Sequence, residues 1–345
     1  MTEWRTAAPE AVGMRSETLS AVAGWLDSLA GSNLHGIAVA RNGCMIFQHY
    51  RSGPDESWRG ALGTVVHGPE VKHDIRSVTK VVIGLLVGDA VARGLIPDLE
   101  MPLFDLLPEV ADLRSPGKDR IRLRHLLTMS AGLDWDENVA LTDPGNGERR
   151  LWQSEDRVRT ALEPSLLWEP GSVWAYSGGC TELLAAVLRQ VSGKPLDAYA
   201  RDALFEPLGI TDVEWARHAD GSPSASGGLR LRAPDLAKIG QLLIDGGSWN
   251  GAPLLPATWI AQSLTPQIGM DDRLFFYGFH WWLGRSLVNG REIPWAAGIG
   301  LGGQRLFVVP ALSLVAVITA GHYADPMQSW LPLVVLNRHV LGAFA

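Results

Sequence analysis

Two hairpin signals stand near opposite ends of this chain, and a single sheet that uses both must draw the ends together. Ile37 to Ala40 and Cys44 to Tyr50 are apolar runs either side of Arg41-Asn42-Gly43. Asn-Gly between such runs selects the tight turn whose twist matches paired strands, so a hairpin is expected over residues 36–50. Arg305 to Val309 and Ser313 to Thr319, rich in Val, Ile, Leu and Phe around Pro310-Ala311, suggest a second. Between them the chain reads mainly as helices: Val78 to Arg93 stopped by Gly94, Thr181 to Val191 stopped by Ser192-Gly193, Leu196 to Leu204, and Pro234 to Asp245 stopped by Gly246-Gly247. The expected fold is α+β, an α/β sandwich. Its antiparallel sheet comes from N- and C-terminal segments flanked by helices, a mostly helical region is inserted, and a cleft lies where the two meet. In residues, 1–345 forms one unit, with 10–76 and 250–345 supplying the sheet region and 77–249 the helical one.

Composition limits the function classes. With 345 residues, 46% hydrophobic and 19% charged, the chain can bury a large core. A net charge of -7 and the lack of a Lys/Arg run argue against nucleic-acid binding. The stretch Met1 to Ser20 mixes Glu3, Arg5, Glu10, Arg15 and Glu17 with small residues and holds no apolar segment of the signal-peptide kind, so a cytoplasmic location is expected. Val81 to Val87 and Leu306 to Ala320 fall short of the ~18 residues of a membrane span, so none is expected. Cys44 and Cys180 are too few for a disulfide framework or a cysteine zinc site. The nine histidines show no HExxH spacing; His73, His125, His280 and His322 read as structural or surface groups, and no metal or other cofactor is expected.

Ser77-Val78-Thr79-Lys80 sets a hydroxyl and an amine three residues apart, neighbours on one helical face. A serine hydroxyl needs an adjacent base to act as a nucleophile, and a partly desolvated lysine can serve. Ser77 would stand at a helix N-terminus, where free N–H groups favour developing negative charge, so its own N–H suits an oxyanion hole. On this motif alone the plainer reading, Ser77 as an N-cap beside a solvated Lys80, stays open. Ser115 also precedes a lysine, Lys118, but Pro116-Gly117 between them breaks any helix. By contrast, Ser77 opens the apolar run from Val81 to Val87.

Three segments occur in order: Ser77-Val78-Thr79-Lys80, then Leu123-Arg124-His125-Leu126-Leu127-Thr128-Met129-Ser130-Ala131-Gly132-Leu133, then Trp174-Ala175-Tyr176-Ser177-Gly178-Gly179. With Phe205-Glu206-Pro207-Leu208-Gly209-Ile210 further on, the chain over roughly residues 10 to 335 resembles the class C β-lactamase-related serine hydrolases. The resemblance implies that Ser77 is acylated, that Lys80 is its base partner, and that Tyr176 shuttles a proton to the leaving group. A free phenol titrates near ~10, so that role needs a neighbouring ammonium. Two departures stand out. The family's Tyr-x-Asn has Gly178 at its third place, and its Lys/His-Thr-Gly triplet is replaced by Trp295-Ala296-Ala297-Gly298, with no cation to hold a substrate carboxylate. β-Lactam turnover and peptidoglycan recognition are thereby disfavoured. The run Ala297-Gly298-Ile299-Gly300-Leu301-Gly302-Gly303-Gln304 resembles the 6-aminohexanoate-dimer hydrolase branch and its esterase relatives. A second oxyanion N–H is sought between Gly298 and Leu301, with Gly298 as the first candidate.

Other motifs fail on context. Gly298, Gly300 and Gly303 fit G-x-G-x-x-G, but a strand follows where a dinucleotide site needs a helix. No serine has the G-x-S-x-G setting; Ser130 lacks the first glycine. Trp281-Trp282, Trp295 and Phe275-Phe276-Tyr277 read first as core, with some available to line a pocket. The expected activity is cleavage of a small-molecule ester or amide through a Ser77 acyl-enzyme. Alternatives are β-lactamase or D-amino peptidase activity, or a silent ligand-binding scaffold of the same fold. Oligomeric state is not legible.

Overall fold

The computed structural model describes residues 3–270 and 274–344. Met1 and Thr2 of the N-terminal stretch, residues 271–273 and Ala345 lie outside the described residues. In chain order the strands are β1 (Arg5–Thr6), β2 (Leu34–Arg41), β3 (Cys44–Tyr50), β4 (Ser52–Ser57), β5 (Gly60–Val66), β6 (Lys72–Asp74), β7 (Glu214–Trp215), β8 (Leu229–Arg232), β9 (Ser248–Trp249), β10 (Ala252–Pro253), β11 (Ile268–Gly269), β12 (Phe276–Tyr277), β13 (Trp282–Val288), β14 (Arg291–Gly300), β15 (Gln304–Val309) and β16 (Leu314–Ala320). The helices are α1 (Ser16–Ser28), α2 (Thr79–Ala92), α3 (Leu103–Leu106), α4 (Leu123–Leu127), α5 (Gly147–Gln153), α6 (Arg157–Leu162), α7 (Gly178–Ser192), α8 (Leu196–Ala200), α9 (Ala233–Ile244), α10 (Ala257–Ser263) and α11 (Met327–Val334).

Both expected hairpins form. Asn42 and Gly43 take φ of 50° and 72° between β2 and β3, the left-handed pair that a two-residue turn of this kind demands. The β15–β16 hairpin turns through Pro310–Leu312. The two hairpins then join, with β16 pairing β2 from Leu314↔Arg41 to Ala320↔Leu34. Among the described residues the sheet has nine strands in the order β1-β3-β2-β16-β15-β14-β13-β12-β11. One expectation needs correction, because the sheet is not wholly antiparallel: β1 runs parallel to β3 at Arg5↔Cys44 and Thr6↔Met45. The chain reaches β3 from β1 only after α1 and β2, a crossover long enough to permit parallel pairing.

Side chains alternate between two cores. Ala38, Ala40, Ala296, Leu306, Val308, Val315 and Val317 face a large core containing α2, α7 and α9. Ile37, Val39, Trp295, Phe307, Ala316 and Ile318 face a second one with α1 and the C-terminal helices. Strands covered on both faces read as continuous apolar runs, which is why Leu306 to Ala320 lacks a two-residue period. Helix α2 is buried nearly all round, so it too carries no amphipathic stripe. Helix α7 begins at Gly178, three residues before the expected start at Thr181, because Ser177 caps it by accepting from the Cys180 N–H at 3.2 Å. The segment from Leu196 divides into α8 and a π-helical turn, Arg201–Phe205. The β4–β5 hairpin and the small sheet β6-β8-β7 were not foreseen. Among the described residues no helix is long and apolar enough to cross a membrane.

Candidate active site

Ser77 lies in a 3-10 turn, Arg76–Val78, that hands the chain into α2. The turn is entered through Arg76 at φ 49°, a left-handed conformation that a non-glycine residue keeps only when its surroundings enforce it. Here Asp74 Oδ1 accepts from the Arg76 N–H at 2.9 Å, and Asp74 Oδ2 from the Trp58 N–H at 3.1 Å. The Arg76 guanidinium packs over the Trp58 and Tyr323 rings, 4.9 and 4.5 Å from their centroids, and meets Glu56 at 3.1 Å. Ser77 itself is half-buried.

The structure brings Ser77, Lys80 and Tyr176 together. Lys80 is 2% exposed, so its amino group has few partners to choose from. Its Nζ donates to Ser77 Oγ at 3.0 Å and to the Ser226 carbonyl at 2.7 Å, and lies 4.9 Å from the centre of the Tyr176 ring. Burial, and after it the Glu137 carboxylate, holds the Tyr176 phenol well above its ordinary range, while a hydrogen bond with Ser77 pulls the other way. Tyr176 therefore rests as a neutral phenol able to give a proton. Lys118 is occupied elsewhere, donating to Leu162 O at 2.6 Å and Glu163 O at 3.3 Å.

Strand β14 closes one side. A Cβ built on Gly298 would come within 2.9 Å of Val78 Cγ1 and 3.0 Å of Val81 Cγ2, so the glycine lets the strand run tight against the nucleophile's turn. Pairing with β13 ends at Trp282↔Ala297, whereas pairing with β15 continues to Gly300↔Gln304. Residues 298–300 thus extend past β13 beside Ser77. Along β14, Trp295 and Ala297 point into the second core while Ala296 and Gly298 face α2. The face toward the site offers a methyl group and a hydrogen, with no cation.

Three acidic neighbours carried no signal in the sequence. Glu137 Oε1 accepts from the Gly178 N–H and from Trp135 Nε1 at 2.7 Å, and a Cβ on Gly178 would lie 3.0 Å from that oxygen. A carboxylate therefore fills the room in which the family's asparagine would begin. Glu148, half-buried, is pushed up to about 7 by burial and then by Glu137, with Lys80 and Arg76 opposing. Glu182, buried in α7, accepts from the Ala225 and Ser226 N–H groups at 2.8 and 3.0 Å and so fixes the carbonyl that holds Lys80. Trp174, Tyr277 and Trp282 pack around Tyr176, with Trp282 5.9 Å from its ring and Trp174 6.3 Å. Trp281 and Trp295 are core.

The histidines singled out earlier are engaged with groups other than Ser77. His280 is buried, which drives its imidazole down to about 3, and its Nε2 is 3.4 Å from Thr181 Oγ1. His125 Nδ1 accepts from the Arg122 N–H, and His322 Nε2 from the Asn33 N–H. His73 joins His35, Asp55 and His67 in a buried group able to hold a metal ion. Cys44 and Cys180 are buried free thiols.

The family model described as Beta-lactamase matches residues 33–329. The 6-aminohexanoate-dimer hydrolase of Paenarthrobacter ureafaciens is 24% identical over 308 residues, covering 84% of this chain and 72% of that protein. Two solved structures share the fold. A hydrolase with promiscuous acyltransferase activity gives a TM-score of 0.70 at 18% identity, covering 92% of this chain and 98% of that one. A family VIII carboxylesterase gives 0.68 at 16% identity, covering 94% and 98%.

Proposed function

Because the chain belongs to the beta-lactamase family and is a serine hydrolase, we propose that it cleaves small esters or unstrained amides through an acyl-enzyme on Ser77. The observation that carries this reading is the contact of Lys80 Nζ with Ser77 Oγ at 3.0 Å, under a neutral Tyr176 phenol. With Tyr176 held as the neutral phenol, Lys80 must react as the free amine: as Ser77 Oγ bonds to the carbonyl carbon its proton passes to Lys80 Nζ, which in turn restores the proton that Tyr176 later gives up. The oxyanion is held by the Ser77 N–H and by a second N–H from the Gly298 to Leu301 stretch. Tyr176 gives a proton to the departing alcohol or amine, and water reverses the sequence to free the acid.

Charge narrows the substrate. The site-facing positions of β14 lack a cation, while Glu137 and Glu148 stand close by. A neutral or ammonium-bearing substrate suits this arrangement better than one with a carboxylate, which sets the β-lactamase and D-amino peptidase readings behind ester or amide cleavage. The test is incubation with p-nitrophenyl butyrate, a linear amino-amide and a chromogenic cephalosporin, with Ser77→Ala beside the wild type. Turnover and an acyl adduct in intact mass are expected for wild type only, at least ~10³-fold above the variant. Equal turnover by Ser77→Ala would mean hydrolysis that does not run through Ser77, whereas no turnover and no adduct with any substrate would leave a ligand-binding scaffold as the better reading.

A further inference from the structure

Four side chains from separate segments converge behind the Arg76 turn: His35 on β2, Asp55 on β4, His67 just after β5 and His73 on β6. All are buried, and one ligand atom from each lies within 4.8 Å of every other. The hydrogen bonds on the outside of this group decide which way its lone pairs point. His73 Nδ1 is 3.0 Å from the Asp74 carbonyl, which can only accept, so that nitrogen carries the proton. Asn33 Nδ2 donates to Pro54 O at 2.8 Å and Gly321 O at 3.1 Å, which turns Asn33 Oδ1 toward His35 Nε2 at 3.0 Å. Each neutral ring thus spends its single N–H outward. His35 Nδ1 and His73 Nε2 are left with lone pairs facing one another at 2.9 Å, an arrangement that requires a positive centre between them.

Asp55 Oδ1 lies 3.5 Å from His73 Nε2 and 3.9 Å from His35 Nδ1, and its outer contacts are the Tyr323 hydroxyl and the Glu56 N–H, each at 2.8 Å. His67 Nε2 is buried without a hydrogen-bond partner, 3.9 Å from Asp55 Oδ2. Imidazoles that donate outward to a carbonyl while aiming the other nitrogen inward are the arrangement found around bound metals.

We propose that His35 Nδ1, His73 Nε2 and the Asp55 carboxylate bind a divalent first-row cation of the Zn²⁺ type. Imidazole with carboxylate suits such ions; Zn–N and Zn–O bonds of ~2.0–2.2 Å place tetrahedral ligand atoms ~3.3–3.5 Å apart, so the two nitrogens part by a few tenths of an ångström while the carboxylate closes in by a similar amount. His67 now stacks on His35 at 4.1 Å and 15°, so it joins the shell by turning its ring. The site is distinct from Ser77, and its role is to brace: Asp55 holds Tyr323, and the Tyr323 ring carries the Arg76 guanidinium one residue before the nucleophile.

The test uses the whole chain, stripped with EDTA, then dialysed. Titration with ZnCl₂ followed by calorimetry should show one ion per chain, and CoCl₂ should give visible absorption bands at the same stoichiometry. Zn²⁺ at ~100-fold over its dissociation constant should raise Tm by about 3 °C. His73→Gln and His35→Gln should abolish these effects, and His67→Gln should weaken Zn²⁺ by ~10–100-fold. Wild-type protein alone decides the matter where a variant fails to fold. No stoichiometric Zn²⁺ and an unchanged Tm would overturn the proposal in favour of a proton shared by the two rings, and an equal Zn²⁺ response in the His35→Gln/His73→Gln double variant would overturn it in favour of an adventitious surface site.

Discussion

Glu148 lies within electrostatic reach of Lys80, Arg76, Glu137 and Glu182, and burial followed by the Glu137 charge pushes its carboxyl up to about 7 from 4.5. The folded state therefore holds an extra proton between about pH 4.5 and 7, and stability is lost as pH rises through that window. Glu148→Gln removes the loss. The variant should match wild type below pH 4.5 and exceed it above pH 7 by on the order of 1–3 kcal/mol. Urea midpoints from pH 4 to 8 measure this, and a difference that does not change with pH would refute it. None of this was visible in the sequence, since Glu137 and Glu148 reach Tyr176 and Lys80 only through the fold. Ser77 and Lys80 were legible because one helical turn fixes their separation. Tyr176 was legible only through the order of the motifs, because no local spacing ties a tyrosine in one segment to a serine in another.

The loop before β8 behaves as part of the site although it supplies only a carbonyl. Glu182 reaches from α7 to accept two of its N–H groups, and Arg157 Nε lies 3.6 Å from the other carboxylate oxygen. Glu182→Ala would leave both N–H groups buried without an acceptor, costing ~1–3 kcal/mol each, and would release the Ser226 carbonyl from Lys80. The expectation is a fall in kcat of about 10²-fold with KM nearly unchanged, largely rescued by Glu182→Gln, which keeps an oxygen in place. A lowered Tm with normal kcat would mean that the residue only stabilises. Elements with strong local signals, the two hairpins, α2 and α9, were read to within a residue or two. The β4–β5 hairpin was missed because Gly53, Pro54, Asp55, Gly60 and Gly63 give it the composition of a loop, and its Asp55 acquires meaning only when β2, β6 and the residue after β5 bring three imidazoles to it.

At the scale of the whole molecule the central sheet separates two jobs. The core on one face contains α2 and the residues that seat Ser77, while the other packs α1 against the C-terminal helices, with Leu331, Val335, Leu336 and Val340 fully buried. The sequence showed that both ends feed one sheet but not that it is covered twice, since Val and Ile runs do not say what lies on either side. The division makes stability and catalysis separable by substitution. Leu336→Ala, in the second core, should cost about 2–5 kcal/mol and leave kcat/KM near wild type below the unfolding transition. Val81→Ala should cost about 1–3 kcal/mol, and because Val81 sets the distance between α2 and Gly298 it should also lower kcat/KM by about 10-fold or more. Urea unfolding and ester kinetics on the same two proteins decide the point. A parallel loss of activity in Leu336→Ala would mean that the sheet transmits packing defects from one face to the other instead of walling them off.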